Sequence, residues 1–301
     1  MSVIAIIAAL VLEQWRPLGD RKIYFAVLAD AASRLERAFN AEQGGHGLIA
    51  WLVAVVPAVL AAWALHALLH MASPLLSLLF DVAVLYLTLG FRQFSHSFTA
   101  IQTALKAGEL DRARELIADW RGEPVAPRTR EEIVRLSIEE ALLASHRHVF
   151  GVVLWYVLLP GPSGAILYRL AVFLWRRWGG LGAFGDFAQR ALFVLEWPAV
   201  RLTAAAFAVV GDFEDAVYCW RTQARNWADP GAGVVLATGA GAMGVRLGMP
   251  LAGEDGQPRP ELGVGEDADL PTLDATVGLL WRALVVWMFV LVLLSVGRLL
   301  G

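Results

Sequence analysis

The sequence predicts an all-α integral membrane protein: a multispanning helical bundle with broken or re-entrant helices and cytoplasmic amphipathic helices. Three observations lead there. The 301 residues are 57% hydrophobic and only 18% charged, with a mean hydropathy of +0.56, far from the composition of a soluble domain. The apolar residues gather into six segments, about 1–12, 48–71, 75–90, 149–175, 191–210 and 277–300, several of bilayer length. Between them lie polar stretches that repeat their apolar residues at helical spacing. The whole chain, 1–301, therefore reads as one polytopic membrane domain. A net charge of -3 supplies no concentrated basic face, so nucleic acid is not an expected partner, whereas membrane lipid is. Cys219 is the single cysteine, which excludes an intrachain disulfide and any cysteine-rich zinc or iron-sulfur centre; inert packing is its expected role.

Met1 to Val11 is apolar but lacks the basic leader and small-residue cleavage site of a signal peptide, so it is expected to be retained as a short membrane helix or half-helix. In the polar stretch Glu13 to Gly47, Phe25, Leu28, Ala32, Leu35 and Phe39 recur at helical spacing and predict an amphipathic surface helix, ended by Gly44, Gly45 and Gly47. Leu48 to Met71 is long enough to span and carries His66 and His70 near its far end. Ser73 and Pro74 turn the chain, and Leu75 to Gly90 returns, slightly short for a full span and carrying Asp81. That carboxylate is costly in lipid and should face protein or water.

A cytoplasmic helical region is expected over 91–148, with helices from about Ser95 to Lys106 and Leu110 to Trp120, then another after Pro124 and Pro127. Thr129, Arg130, Glu131, Glu132 has the form of a capping box for that last helix. Val149 to Trp175 is split by Pro160, Gly161, Pro162, Ser163 and Gly164 into a tight hairpin or broken helix pair. Ala191 to Val210 holds Glu196, Pro198 and Arg201 and reads as re-entrant or interfacial. Met249 to Asp269 is a Pro, Gly and acid-rich loop, and Val277 to Leu300 is the clearest spanning helix. Most Lys and Arg lie in Glu13–Gly47, Phe91–His148 and Arg176–Arg190, which places these regions in the cytoplasm and both termini outside.

The most site-like stretch is 211–248. Acids and arginines, Asp212, Glu214, Asp215, Arg221 and Arg225, precede a string of small residues from Gly239 that ends at Arg246, Leu247 and Gly248. Small residues permit close approach of backbone to a ligand or to a neighbouring helix, and both readings stand at this level; Gly241, Gly244 and Arg246 are its candidate contacts. A second dense cluster is Glu139, Glu140, Ser145, His146, Arg147 and His148. His146 and His148 diverge by about 200 degrees on a helix and cannot share one ion, so no metal site is expected from them. Glu139 and His146 share a face, suited to orienting an amine or a magnesium-phosphate; the charge pattern alone reads as a solvated interfacial helix. No Walker loop and no GxSxG elbow occurs.

Gly239 to Gly248, followed by the Pro-rich acidic loop, Leu262-Gly263 and a final membrane helix, resembles the C-terminal signature of the CobD/CbiB family of cobalamin biosynthesis. Arg221 to Gly233 is similar to the segment preceding that signature, and Leu18-Gly19-Asp20-Arg21 with Leu35-Glu36-Arg37 resembles the family's opening, with Arg21 where the family has proline. The resemblance implies a bacterial inner-membrane adenosylcobinamide-phosphate synthase that joins adenosylcobyric acid to aminopropanol or its phosphate, using ATP and magnesium. It implies Asp20, Glu139 and Glu140 as catalytic groups and Arg221, Arg225, Gly241, Gly244 and Arg246 as substrate- or phosphate-binding groups, with a corrinoid as partner. A second likeness, over Phe187 to Trp220, is to AmpE, which implies a non-enzymatic membrane protein of cell-envelope or β-lactamase-induction signalling.

Overall fold

Thirteen α-helices, a π turn, a 3-10 turn and a three-stranded scrap of sheet form among the described residues, 2–15, 21–39, 44–251 and 259–300, of the computed structural model. The helices are α1 (Ser2–Trp15), α2 (Arg21–Phe39), α3 (Gly44–Ala72), α4 (Pro74–Thr88), α5 (Phe91–Lys106), α6 (Leu110–Arg121), α7 (Arg130–Ser145), α8 (Gly151–Leu158), α9 (Ser163–Trp178), α10 (Gly182–Val210), α11 (Phe213–Thr222), α12 (Pro230–Met243) and α13 (Leu270–Leu300). Five described stretches are long and apolar enough to cross a membrane: His46–Ala72, Pro74–Lys106, Arg130–Leu158, Gly182–Val210 and Leu270–Gly297. The protein is an all-α multispanning membrane protein.

Its contacts sort into two interleaved units. The first comprises residues 1–90 and 147–198. Here α4 packs on α1 and α3, and α9 packs on α3, α4 and α8. Ser73 caps α4, its side chain accepting from the Leu75 N–H, and Pro74 stands at the first helical position, where its missing N–H costs nothing. The break at Pro160–Pro162 ends α8 and starts α9 as the sequence suggests. Gly164 lets the two helices close, since a Cβ there would sit 1.8 Å from the Trp155 carbonyl oxygen.

The second unit comprises residues 91–146 and 199–301. At its centre lies α12, whose residues from Ala232 to Ala242 are all buried. A helix that is apolar all round must be wrapped on every side, and α11, α7, α13 and the strands β1 (Val245–Leu247) and β2 (Leu262–Gly263) do this. Asp229 caps the start of α12 by accepting from Gly231 and Ala232 N–H, and Gly244, at φ 66, ends it. Beyond it β1 pairs antiparallel with β2 and parallel with β3 (Glu266–Asp267). On α5 the residues Phe91, Phe94, Phe98, Ile101 and Leu105 are buried at helical spacing, as an amphipathic helix requires.

Three boundaries differ from the sequence reading. The helix beginning at Arg130 does not stop before an apolar segment at Val149. It passes through a single π turn, His146–Phe150, and runs on to Leu158, and its charged residues Arg135, Glu139, His146 and Arg147 are buried instead of solvated. α10 begins at Gly182, nine residues before Ala191, and continues through Pro198 as one 29-residue helix. The loop 249–269 contributes the two short strands β2 and β3.

Candidate functional site

The capping box at Thr129 fixes where α7 starts: Thr129 N–H donates to Glu132 Oε2 at 2.7 Å and Glu132 N–H to Thr129 Oγ1 at 3.2 Å. From that start Arg135 and Glu139, four residues apart, share a face and reach the same target. Arg135 Nη1 donates to the Gly248 carbonyl at 2.9 Å, and the Gly248 N–H donates to Glu139 Oε1 at 2.9 Å. The last residue of the small-residue run is thus held at both its backbone groups by one turn of α7. Glu139 Oε2 accepts from Arg259 Nη2 at 2.6 Å, and the Arg259 guanidinium lies 5.2 Å from the centre of the Trp227 ring. Arg259 Nε also donates to the Met249 carbonyl at 3.3 Å. Gly248 and Met249 both have positive φ, 74 and 64. A side chain at Gly248 would strike the Pro260 carbonyl, its Cβ only 2.1 Å away.

Beside this junction Glu140 Oε1 accepts from Arg121 Nη1 at 3.0 Å. Arg121 also grips both oxygens of Glu123, at 2.7 and 2.8 Å. That fork holds the Glu123 carboxyl below its usual range, with the charges of Arg128 and Arg259 adding to it. Burial works against the charge of Arg121, yet Glu123, Glu140 and Glu139 together raise its affinity for its proton. The result is a polar cluster of Arg121, Arg128, Arg135 and Arg259 with Glu123, Glu139 and Glu140.

Of the residues singled out in the sequence, Glu139 and Glu140 lie in this cluster, and the end of the glycine run is brought to it through Gly248. Arg246, on β1, does not bond Glu139. It faces Asp267 at 3.1 Å and Glu261 at 3.6 Å, while its Nε is buried with no hydrogen-bond partner among the described residues. Gly241 packs against α11, where a Cβ would come 2.5 Å from the Asp215 carbonyl oxygen; Gly244 caps α12 and faces open space. The run is therefore the buried end of α12, its cap at Gly244 and the strand β1, and up to Met243 its N–H groups lie in a helix, where they bond the helix's own carbonyls. Arg221 and Arg225 are exposed and form no ion pair among the described residues. Asp20 lies outside the described residues. His146 Nδ1 stands 2.9 Å from Thr203 Oγ1 and His148 Nδ1 is 2.7 Å from Arg169 Nη1, so the two histidines serve different partners. Sequence reasoning missed Arg135, Arg121 and Arg259. Arg259 carried a signal, as the lone cation in the acidic loop 249–269.

The family profile described as CobD/Cbib protein matches residues 6–292. The chain belongs to the CobD/CbiB family. Among its relatives is the cobalamin biosynthesis protein CobD of Stutzerimonas stutzeri, 35% identical over 306 aligned positions that cover 97% of each chain. The protein of the same name from Chromobacterium violaceum is 36% identical over 288 positions, 91% of this chain and 88% of the other. That of Photorhabdus laumondii is 27% identical over 219 positions, 69% and 67% of the two chains. No solved structure gives a significant match. Within this CobD/CbiB chain the cluster around Glu139 joins residues that stand over a hundred positions apart in sequence.

Proposed function

We propose that this CobD/CbiB-family chain acts in cobalamin biosynthesis at the bacterial inner membrane. There it forms the amide bond between a carboxyl of adenosylcobyric acid and the amine of aminopropanol or its phosphate. The observation that carries the reading is the alignment of nearly the whole chain with relatives named for cobalamin biosynthesis. The AmpE reading gives way because the family match runs through Phe187 to Trp220, the segment that carries the AmpE likeness.

The chain's own residues suit a reaction among anions. Arg259 and Arg121 present guanidinium groups next to the acids of α7, and Arg221 and Arg225 add exposed cations able to meet a carboxylate or a phosphate oxygen. ATP with magnesium, when bound, supplies the activation that turns a carboxylate into an acyl donor. Glu139 and Glu140 are each bonded to an arginine, and among the described residues no three acids or histidines gather around one point. These acids fit a magnesium ion that arrives with most of its ligands on substrate phosphates, not a resident ion. Glu139 acts as a positioning residue, keeping Arg259 and the Gly248–Met249 backbone in place. The Lys- and Arg-rich regions 13–47, 91–148 and 176–190 face the cytoplasm in this reading, where nucleotide and amine are available.

The test is genetic. A strain that depends on its own cobalamin synthesis and has lost its ligase grows when supplied with this chain. Absence of growth, with the chain shown by immunoblot to be present in the membrane fraction, overturns the proposal.

A further inference from the structure

We propose that Arg135, on the second turn of α7, binds an oxyanion, a phosphate or a carboxylate group, on the free edge of its guanidinium. The inference rests on the function proposed above only for the substrate that carries the oxyanion.

Arg135 is buried, with 8% of its surface exposed. A buried charge is costly unless it is paired, and arginines enclosed to a similar degree in this chain are paired. Arg259 has Glu139 at 2.6 Å and Arg147 has Glu196 at 3.2 Å. Arg135 has no such carboxylate among the described residues. Its one hydrogen bond there runs from Nη1 to the Gly248 carbonyl at 2.9 Å, which answers a single donor and leaves the charge uncompensated. Glu139, four residues on along the same face, spends its oxygens on the Gly248 N–H and on Arg259. Glu131, one turn back, is exposed and forms no ion pair with Arg135.

The donors left over are arranged for a ligand. Nε and Nη2 lie along one edge of the planar group with their N–H bonds side by side, the fork that takes two oxygens of a carboxylate or phosphate. Nε is buried without a hydrogen-bond partner. Nη2 forms no hydrogen bond among the described residues either and, unlike Nε, is open to solvent. The bond to Gly248 ties down the far side of the guanidinium and so holds this edge in one place. Its anchor is itself constrained: Gly248 and Met249 have φ of 74 and 64, and Met249, a residue with a side chain, is held in that region by Arg259 Nε on its carbonyl. If holding the Gly248 carbonyl were the whole task of residue 135, a neutral amide donor would do it without burying a charge.

The experiment follows thermal unfolding of the full chain in detergent micelles, titrated with inorganic phosphate or with acetate against sodium chloride of equal ionic strength. One of the two anions raises the unfolding temperature of the wild type beyond the chloride control. Phosphate acting at the lower concentration marks a phosphate-bearing substrate, and acetate doing so marks a carboxylate. Arg135→Gln, which keeps an amide donor for Gly248 but no charge, weakens that response roughly ten-fold or more and unfolds no earlier than wild type without added anion. Arg130→Gln, at an exposed position on the same helix, keeps the full response. A wild type that neither anion stabilises, or an Arg135→Gln variant that responds as wild type does, overturns the proposal. Should Arg135→Gln fail to fold, Arg135→Lys decides, since it keeps the charge and loses the fork, and its response should fall in the same way. Binding is read without turnover, so its failure is distinct from a failure of amide formation.

Discussion

Glu139 is bonded to two separate parts of the chain through one carboxylate, and it is 2% exposed. Replacing it by Gln keeps an acceptor for the Gly248 N–H but leaves the Arg259 cation without its counter-charge. Removing one partner of a buried pair costs about 3–5 kcal/mol. Thermal unfolding in detergent should show Glu139→Gln destabilised by that order, and a loss below about 1 kcal/mol would mean the pair is solvated. Arg221 and Arg225 make the opposite case. Both are exposed and unpaired among the described residues, so Arg221→Ala with Arg225→Ala should change stability by no more than about 0.5 kcal/mol while lowering amide formation, if they receive substrate phosphate. Cys219 gives a pH prediction: burial first, then the charge of Asp215, pushes its thiol up from 9.0 to about 11. The folded state holds that proton more tightly than the unfolded chain. The stabilisation is complete below pH 9 and is lost as pH rises towards 11. Maleimide labelling of the native protein should stay slow through pH 8, and an ordinary cysteine profile would contradict the burial.

At the level of elements, α12 shows how small residues act in this fold. Gly241 meets α11 backbone, with the Asp215 carbonyl oxygen 2.5 Å and the Ala216 Cα 2.9 Å from where a Cβ would be, and backbone cannot step aside as a side-chain tip can. Gly241→Ala should cost about 1–3 kcal/mol by overpacking. Gly244 has open space but φ 66, so Gly244→Ala should cost only about 1 kcal/mol from the left-handed backbone. Unfolding temperatures of the two variants test the order. The starts of α4 and α9 were legible because Ser73-Pro74 and Pro160-Gly161-Pro162 act locally. The Thr129 box was legible for the same reason. The passage of the α7 helix through His146–Phe150 was not, since burial of Glu139, His146 and Arg147 by distant partners outweighs their preference for water. The extension of α10 through Pro198 and the pairing of β1 with β2 and β3 likewise depend on tertiary neighbours. Glu139 and Glu140 could be chosen from the sequence as a dense local cluster; Arg259, 120 residues further on, could not be placed beside them without the fold.

For the whole molecule, the placement of Lys and Arg predicts that the segment between α11 and α12 lies in the cytoplasm. Cys219 is buried, so a cysteine introduced at exposed Ala228 becomes the reporter. Ala228→Cys should resist a membrane-impermeant maleimide in intact cells and react in inverted vesicles; the reverse pattern would turn the topology over. The family match from residue 6 to 292 places the chain in the CobD/CbiB family, and the account proposed on it is of a membrane protein that joins a corrinoid carboxyl to a small amine. The purified chain in lipid nanodiscs, given adenosylcobyric acid, aminopropanol phosphate, ATP and magnesium, tests it most directly by mass spectrometry of the corrinoid. The account predicts conversion to the amide-linked product that disappears without ATP. A folded, lipid-embedded chain that leaves adenosylcobyric acid unchanged under those conditions would contradict it.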